Sequence, residues 1–107
     1  MSESLKSSRL HLSWSNPITG ECCNVVYPLP ISIGRAASVN EIVLNCSQVS
    51  RQHARLERAA GHILLTDQHS TNGILVNNQR ISRARLNDGD SFQIRPFTFF
   101  VSTDTDE

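Results

Sequence analysis

The sequence lacks an excess of charge of either sign. Lys plus Arg and Asp plus Glu both total 10, so the formal net charge is zero when His is neutral. A neutral chain has no general attraction for nucleic acid or for an anionic membrane surface. We therefore predict neither a nucleic-acid partner nor a membrane partner, and any recognition of anions must depend on a few cations held in one place.

Cysteines and long apolar runs are also scarce. Cys22 and Cys23 are adjacent and Cys46 stands alone, which fits neither a disulfide framework nor the paired spacing of a zinc site. No stretch approaches the roughly 18 apolar residues of a membrane span, and residues 1–8 lack the apolar segment of a signal peptide. These absences predict a soluble intracellular protein, cytoplasmic with the nucleus left open, that needs no metal and no cofactor.

Strand periodicity is what the sequence does contain. Apolar and polar residues alternate over residues 10–14, and similar short runs recur between turns rich in Gly, Pro, Asn and Asp. The pattern predicts about ten short strands, which is typical of an all-β sandwich. Residues 29–33 are predicted at an edge or bend, because Pro28 and Pro30 cannot donate to a ladder. Residues 80–85, rich in arginine, are predicted to be the exposed face of a hairpin, and the phenylalanines to be core.

The length of the chain limits its domain organisation. With 107 residues it fits one domain, large enough to bury a core without disulfides. We predict a folded domain over residues 10–102. Residues 1–9 are predicted to be a flexible N-terminal segment, and residues 103–107, which are polar and acidic, a disordered tail. We also expect a monomer.

Three polar loops follow short apolar runs, and each carries donors suited to an anionic oxygen. The first loop begins with Gly34-Arg35, the second contains Ser50-Arg51-Gln52-His53, and the third contains Ser70-Thr71-Asn72-Gly73. Guanidinium, hydroxyl and amide groups all hydrogen-bond phosphate oxygens. Three such loops, converging, would form a phosphate receptor.

Ser50, His53 and Asp67 also allow a different interpretation, a hydrolytic triad. However, residues i and i+3 lie on opposite faces of a strand, no G-x-S-x-G turn is present, and no Gly-rich stretch offers an oxyanion hole. We therefore predict no catalytic residues and no enzyme activity. His53 is instead predicted to hydrogen-bond the backbone and to hold two loops together.

Several separated motifs, taken together, resemble the forkhead-associated (FHA) domain. They are Gly34-Arg35, residues 40–44, residues 49–54, Asp67, residues 70–73, residues 76–77 and residues 86–90. The resemblance implies a sandwich of two twisted, mainly antiparallel sheets with binding loops at one end. It also implies a non-catalytic module that binds phosphothreonine peptides, with a Ser/Thr kinase or its substrate as the expected partner.

The resemblance assigns roles to individual residues. Arg35 and Ser50 would contact the phosphate, and Arg51 would add a second cation. Thr71 and Asn72 would contact the phosphothreonine and the peptide backbone. The residues expected to keep the loops in shape are Gly34, His53, Gly73 and Asn77.

Two departures from the family pattern are visible. Gln68-His69 occupies a place where the family often has an apolar residue and a glycine, which leaves the conformation of the third loop open. Glu41 replaces a frequent aspartate, which is a mild change. The alternative function is a phosphorylation-independent protein-interaction or assembly domain. In that case Arg35 and Ser50 are inherited from the family but bind no phosphate.

Overall fold

A computed structural model describes residues 9–103 of the chain. Within these residues there are eleven strands and no helix, so no helix there is long and apolar enough to cross a membrane. The strands are β1 (Arg9–Ser15), β2 (Cys22–Pro28), β3 (Ile31–Gly34), β4 (Ile42–Val43), β5 (Ala54–Ala59), β6 (His62–Asp67), β7 (Ile74–Val76), β8 (Gln79–Ile81), β9 (Arg83–Leu86), β10 (Ser91–Ile94) and β11 (Phe97–Thr103). The predicted N-terminal segment and acidic tail lie outside the described residues, except for Arg9 in β1 and Thr103 in β11.

The strands form two sheets. One sheet has the order β2-β1-β11-β10-β7-β8, and the other has the order β4-β3-β5-β6-β9. Neighbouring strands are antiparallel apart from the short parallel pair of β3 and β4. The predicted all-β architecture of two mainly antiparallel sheets is confirmed.

The core lies between the two sheets, on the faces that the alternating apolar residues share. Leu10 and Leu12 of β1 and Leu56 of β5 are fully buried, and each such side chain contributes roughly 1.5–3 kcal/mol to folding. The rings of Phe92 and Phe99 stack in this core with centroids 4.9 Å apart. Phe100 is 54% exposed because it points away from the core, so the prediction that every phenylalanine is core is wrong.

Two details of the strand prediction also need correction. Residues 29–33 were expected at an edge or bend, but β3 pairs on both sides, with β4 and with β5. Pro30 precedes this strand, and Pro28 lies in β2 at the edge of the other sheet. The prediction also missed β9, which pairs with β6 and buries Leu86, while its arginines are exposed.

The register brings the polar loops to one end of the sandwich. Ile33 pairs with Ala54, and Ala54 pairs with Asp67, so these three residues form one row across the second sheet. Strands β3 and β6 end at this row, just after Ile33 and at Asp67, and strand β5 begins at it with Ala54. The loops 35–41, 44–53 and 68–73 therefore start or finish at the same edge.

Candidate functional site

The three loops surround a depression of about 530 Å³. All five residues predicted to bind a phosphopeptide line it, namely Arg35, Ser50, Arg51, Thr71 and Asn72. The other lining residues were not among the predicted ligand contacts, and they are Ser47, Gln48, Val49, Gln52 and Gln68. Among the residues that line the depression, the charged ones are both arginines, so the site favours an anion.

Arg35 is held by the second loop through two hydrogen bonds. Its backbone N–H donates to the carbonyl oxygen of Ser50 at 3.0 Å, and its side-chain Nε–H donates to the carbonyl oxygen of Val49 at 2.9 Å. Because the Nε–H is already hydrogen-bonded to Val49, the two terminal guanidinium nitrogens are the donors that remain for a ligand. Paired N–H donors of this kind match two oxygens of one phosphate.

Ser50 connects the second loop to the third. Its Oγ accepts a hydrogen bond of 3.0 Å from the backbone N–H of Thr71. A hydroxyl that accepts this bond still has its own proton to donate. Ser50 can therefore hold Thr71 in place and at the same time donate to an oxygen in the depression.

Asn72 forms a second connection between these loops. Its Nδ2 donates to the carbonyl oxygen of Gln48 at 2.8 Å, which fixes the amide plane and assigns Oδ1 as the acceptor that a ligand can use. Thr71 and Arg51 also line the depression, and both are exposed. The carbonyl oxygen of Thr71 accepts a long bond of 3.5 Å from the Arg80 guanidinium.

The imidazole of His53 is fully buried beneath the depression. Its Nδ1 accepts from the N–H of Ser50 at 3.0 Å, and its Nε2 lies 2.8 Å from the carbonyl oxygen of Gly73. An amide N–H can only donate and a carbonyl can only accept, so these partners assign the neutral tautomer with the hydrogen on Nε2. His53 thus joins the second and third loops.

The same contacts exclude the hydrolytic triad considered above. Both ring nitrogens of His53 are bonded to backbone groups, so neither accepts the proton of the Ser50 hydroxyl. Asp67 does not orient the imidazole, because its Oδ1 accepts from the N–H of Ser70 at 3.0 Å. Ser50, His53 and Asp67 therefore do not form a hydrolytic triad.

Gly34 and Asn40 bring the first and second loops into contact. A Cβ on Gly34 would overlap the carbonyl oxygen of Arg51 and lie 2.8 Å from Nδ2 of Asn40. That Nδ2 donates to the carbonyl oxygens of Ala36 at 2.7 Å and Arg51 at 2.8 Å. Asn40 was not predicted as a site residue, and the only signal for it was its place at the start of the 40–44 motif.

Gly73 and Asn77 have different positions relative to the site. Gly73 has a φ of 81°, and the Arg80 side chain occupies the place where its Cβ would be. Asn77 has a φ of 53° in the turn between β7 and β8, and it lines a separate depression of about 200 Å³. The structure therefore brings Gly73 to the three loops but does not bring Asn77 there.

The third loop has a defined conformation despite the Gln68-His69 departure. His69 adopts a φ of 57°, in the left-handed region that favours glycine. The backbone on either side is bonded, since the N–H of Gln68 donates to the carbonyl oxygen of His53 at 2.9 Å, and Oγ of Ser70 accepts from the N–H of Gly73 at 2.9 Å. A histidine therefore adopts a left-handed conformation that glycine adopts at less cost.

Comparison with known proteins identifies the family. The model of the FHA domain matches residues 31–95, which is more than half of the chain. This chain belongs to the FHA family. The FHA domain is 38% identical over 84 residues to the transcriptional regulatory protein EmbR of Mycobacterium tuberculosis, a match that covers 74% of this chain and 22% of EmbR. The chain thus spans about a fifth of the length of that relative.

Solved FHA structures have the same fold. Mycobacterium tuberculosis EmbR in complex with a low affinity phosphopeptide superimposes with a TM-score of 0.72 and 28% identity, over 91% of this chain and 25% of that one. An FHA domain solved in an analysis of phosphothreonine-dependent FHA domain interactions gives a TM-score of 0.72 and 26% identity, over 88% of this chain and 95% of that one. The family predicted from the sequence is confirmed.

Proposed function

We propose that this FHA domain is a non-catalytic module that binds phosphothreonine in a partner protein. The observation that carries the proposal is the convergence of Arg35, Ser50 and Thr71 on one depression whose charged lining residues are both arginines. A phosphothreonine carries a charge of about −1.5 to −2 at neutral pH and offers three acceptor oxygens. Guanidinium and hydroxyl donors at this place match those oxygens.

Each lining residue has a separate task in this proposal. The terminal nitrogens of Arg35 bind two phosphate oxygens, and the hydroxyl of Ser50 donates to a third. Arg51 adds a second positive charge from the rim. The Oδ1 of Asn72, whose amide is fixed by Gln48, accepts an N–H of the peptide backbone.

The hydrogen bonds between the loops reduce the cost of binding. Ser50 with Thr71, Asn72 with Gln48, and His53 with Gly73 connect the second and third loops before any ligand arrives. Groups that are already ordered lose little conformational freedom when the ligand binds. The β-sandwich therefore serves as a rigid support for a receptor made of loops.

The relatives support this function for the module and not for a larger protein. One solved EmbR structure contains a phosphopeptide, and another FHA structure belongs to an analysis of phosphothreonine-dependent interactions. Because the chain spans only 22% of EmbR, the proposal does not extend to transcriptional regulation. We propose a monomer that acts in Ser/Thr kinase signalling inside the cell, with a phosphorylated kinase or its substrate as the partner.

Titration of a phosphothreonine peptide library against its unphosphorylated twin tests the proposal. Individual peptides selected from the library are then measured by calorimetry, before and after treatment with phosphatase. We expect the phosphorylated peptides to bind at least about tenfold more tightly, since hydrogen bonds to a charged group contribute roughly 1.5–3 kcal/mol each. Equal affinity for both forms would instead support the phosphorylation-independent interaction domain.

A further inference from the structure

The side chain of Arg80 extends from strand β8 to the third loop. Arg80 pairs with Leu75 of β7, and Gly73 precedes Leu75 by two residues, which is within the diagonal reach of a long side chain across a strand pair. A Cβ on Gly73 would overlap Nε of Arg80 and would lie 2.8 Å from its Cζ and 2.9 Å from its Cδ. The guanidinium end of Arg80 therefore packs directly on the backbone of Gly73.

This contact covers the end of the third loop. Gly73 is buried, whereas Arg80 itself is exposed. The Arg80 side chain is thus part of the cover that separates Gly73 from solvent. A side chain on Gly73 would occupy the same space, so the absence of one is what allows Arg80 to reach the loop.

The backbone on either side of Thr71 is held by two different parts of the protein. Its N–H donates to Oγ of Ser50 at 3.0 Å, and its carbonyl oxygen accepts from a terminal nitrogen of Arg80 at 3.5 Å. The second bond is long and exposed, so the packing on Gly73 contributes at least as much as the bond to holding the loop. The second loop and strand β8 therefore fix Thr71 together.

We propose that Arg80 is a positioning residue for phosphate recognition, which acts through Thr71 and Ser50. By fixing the third loop, Arg80 keeps the N–H of Thr71 on Oγ of Ser50. A hydroxyl oxygen that accepts this bond directs its own proton away from Thr71 and toward the depression. The inference rests on the proposed function, because that function makes the Ser50 hydroxyl a donor to the phosphate.

A role for the charge of Arg80 alone is the alternative that the test must separate. Arg80 is a cation near an anion site, and a cation attracts phosphate over a Debye length of about 10 Å at 0.1 M salt without ordering any loop. Lysine keeps this charge but lacks the planar guanidinium that both covers Gly73 and reaches the carbonyl oxygen of Thr71. Arg80→Lys therefore distinguishes positioning from charge.

The first experiment measures the affinity of Arg80 variants for one phosphothreonine peptide by calorimetry, with circular dichroism to check the fold. We expect Arg80→Ala to bind about three- to tenfold more weakly than the parent, and Arg80→Lys to lose nearly as much. The matched control is Arg83→Ala, which removes the same charge from an exposed position on the neighbouring strand β9. It should bind within twofold of the parent.

The second experiment is a double-mutant cycle, which gives a readout that a general loosening of the structure would not change. In a Ser50→Ala background, Arg80→Ala should weaken binding by less than twofold, because no hydroxyl remains to be oriented. In an Arg51→Ala background it should keep its full effect, since Arg51 contributes charge and does not act through Ser50. Losses that are independent of one another multiply, whereas losses through one shared contact do not.

The outcomes distinguish this inference from the proposed function. If phosphorylated peptides bind more tightly than their unphosphorylated twins, but Arg80→Lys binds within twofold of the parent or the losses of Arg80→Ala and Ser50→Ala multiply, the positioning role is wrong and the proposed function stands. If Arg80→Ala does not fold, Arg80→Lys alone and combined with Ser50→Ala decides the question. If the unchanged protein binds phosphorylated and unphosphorylated peptides equally, both proposals are wrong.

Discussion

The side chain of Arg35 is fixed by the backbone of Val49, because its Nε–H donates to the Val49 carbonyl oxygen at 2.9 Å. The first loop therefore supplies the cation, and the second loop sets its orientation. A lysine in place of Arg35 carries one ammonium group and no guanidinium. It would lose both the hydrogen bond to Val49 and the paired donors that face the ligand.

The first prediction follows from this pair. Arg35→Ala should weaken phosphopeptide binding by about ten- to more than a hundredfold, since a hydrogen bond to a charged group contributes roughly 1.5–3 kcal/mol. Arg35→Lys should recover only a small part of the loss. Calorimetry gives the affinities and circular dichroism checks the fold. Arg58→Ala is the control, because Arg58 is exposed near the β5–β6 turn. Binding by folded Arg35→Ala within twofold of the parent would show that Arg35 does not anchor the phosphate.

The second prediction separates Ser50 from His53. Ser50→Ala removes a half-exposed loop hydroxyl, so we expect affinity to fall by about tenfold or more while the unfolding free energy changes by less than about 1 kcal/mol. His53→Ala leaves one buried and one partly buried backbone group without partners and creates a cavity, so we expect the unfolding free energy to fall by about 2–5 kcal/mol.

Thermal and urea unfolding measure both changes, and His62→Ala is the control because His62 is exposed. That control should change the unfolding free energy by less than about 0.5 kcal/mol. A His53→Ala protein that has the same melting temperature as the parent but no longer binds the phosphopeptide would contradict this division of roles.

The third prediction concerns the contact between Gly34 and Arg51. Gly34→Ala places a methyl group against the Arg51 carbonyl oxygen, so the second loop must move away from the first. We expect a lower melting temperature together with at least about tenfold weaker phosphopeptide binding, because overpacking commonly costs about 1–3 kcal/mol and here displaces Arg35's partners. Ser38→Ala, an exposed change in the same loop, should alter neither quantity. Unchanged melting and binding of Gly34→Ala would refute the close approach.

The fourth prediction tests the left-handed conformation of His69. His69→Gly relieves about 1–2 kcal/mol of backbone strain, which stabilises the folded protein. It also raises the entropic cost of folding by about 0.5–1 kcal/mol, so the variant should be as stable as the parent or slightly more stable. His69→Val places a β-branched residue at the same φ and should lower the melting temperature by several degrees. The idea fails if the valine variant is as stable as the glycine variant.

The fifth prediction is a preference for phosphothreonine over phosphoserine. The two differ by one methyl group, whose burial contributes about 0.8 kcal/mol plus a cavity term, so we expect about fivefold to some tens of times tighter binding of phosphothreonine. The Thr71 side chain and its neighbouring backbone are the proposed wall of the niche, so Thr71→Ser should reduce the preference. Paired peptides measured by calorimetry check this. Equal dissociation constants for the unchanged protein would mean that no methyl niche exists.

The sequence predicted the parts of the fold that depend on local pattern. Alternation identified strands such as the one containing Leu10 and Leu12, and the separated motifs identified the three loops. The prediction from sequence failed where contacts between distant parts of the chain determine the structure. The inward residues of β9, Ala84 and Leu86, alternate with arginines. Residues 80–85 were therefore interpreted only as the solvent-exposed face of a hairpin. The burial of His53 could not be predicted from alternation, because the residue precedes β5 and its partners come from other loops.

The hydrogen bonds that unite the second and third loops have a further consequence for how the site comes into existence. They connect Ser50 with Thr71, Gln48 with Asn72, and His53 with Gly73, partners that lie 20 to 24 positions apart in the sequence. No single loop contains both halves of any of these bonds. A synthetic peptide copied from one loop would therefore carry the donors but not their arrangement, and the receptor forms only when the strands between the loops have paired.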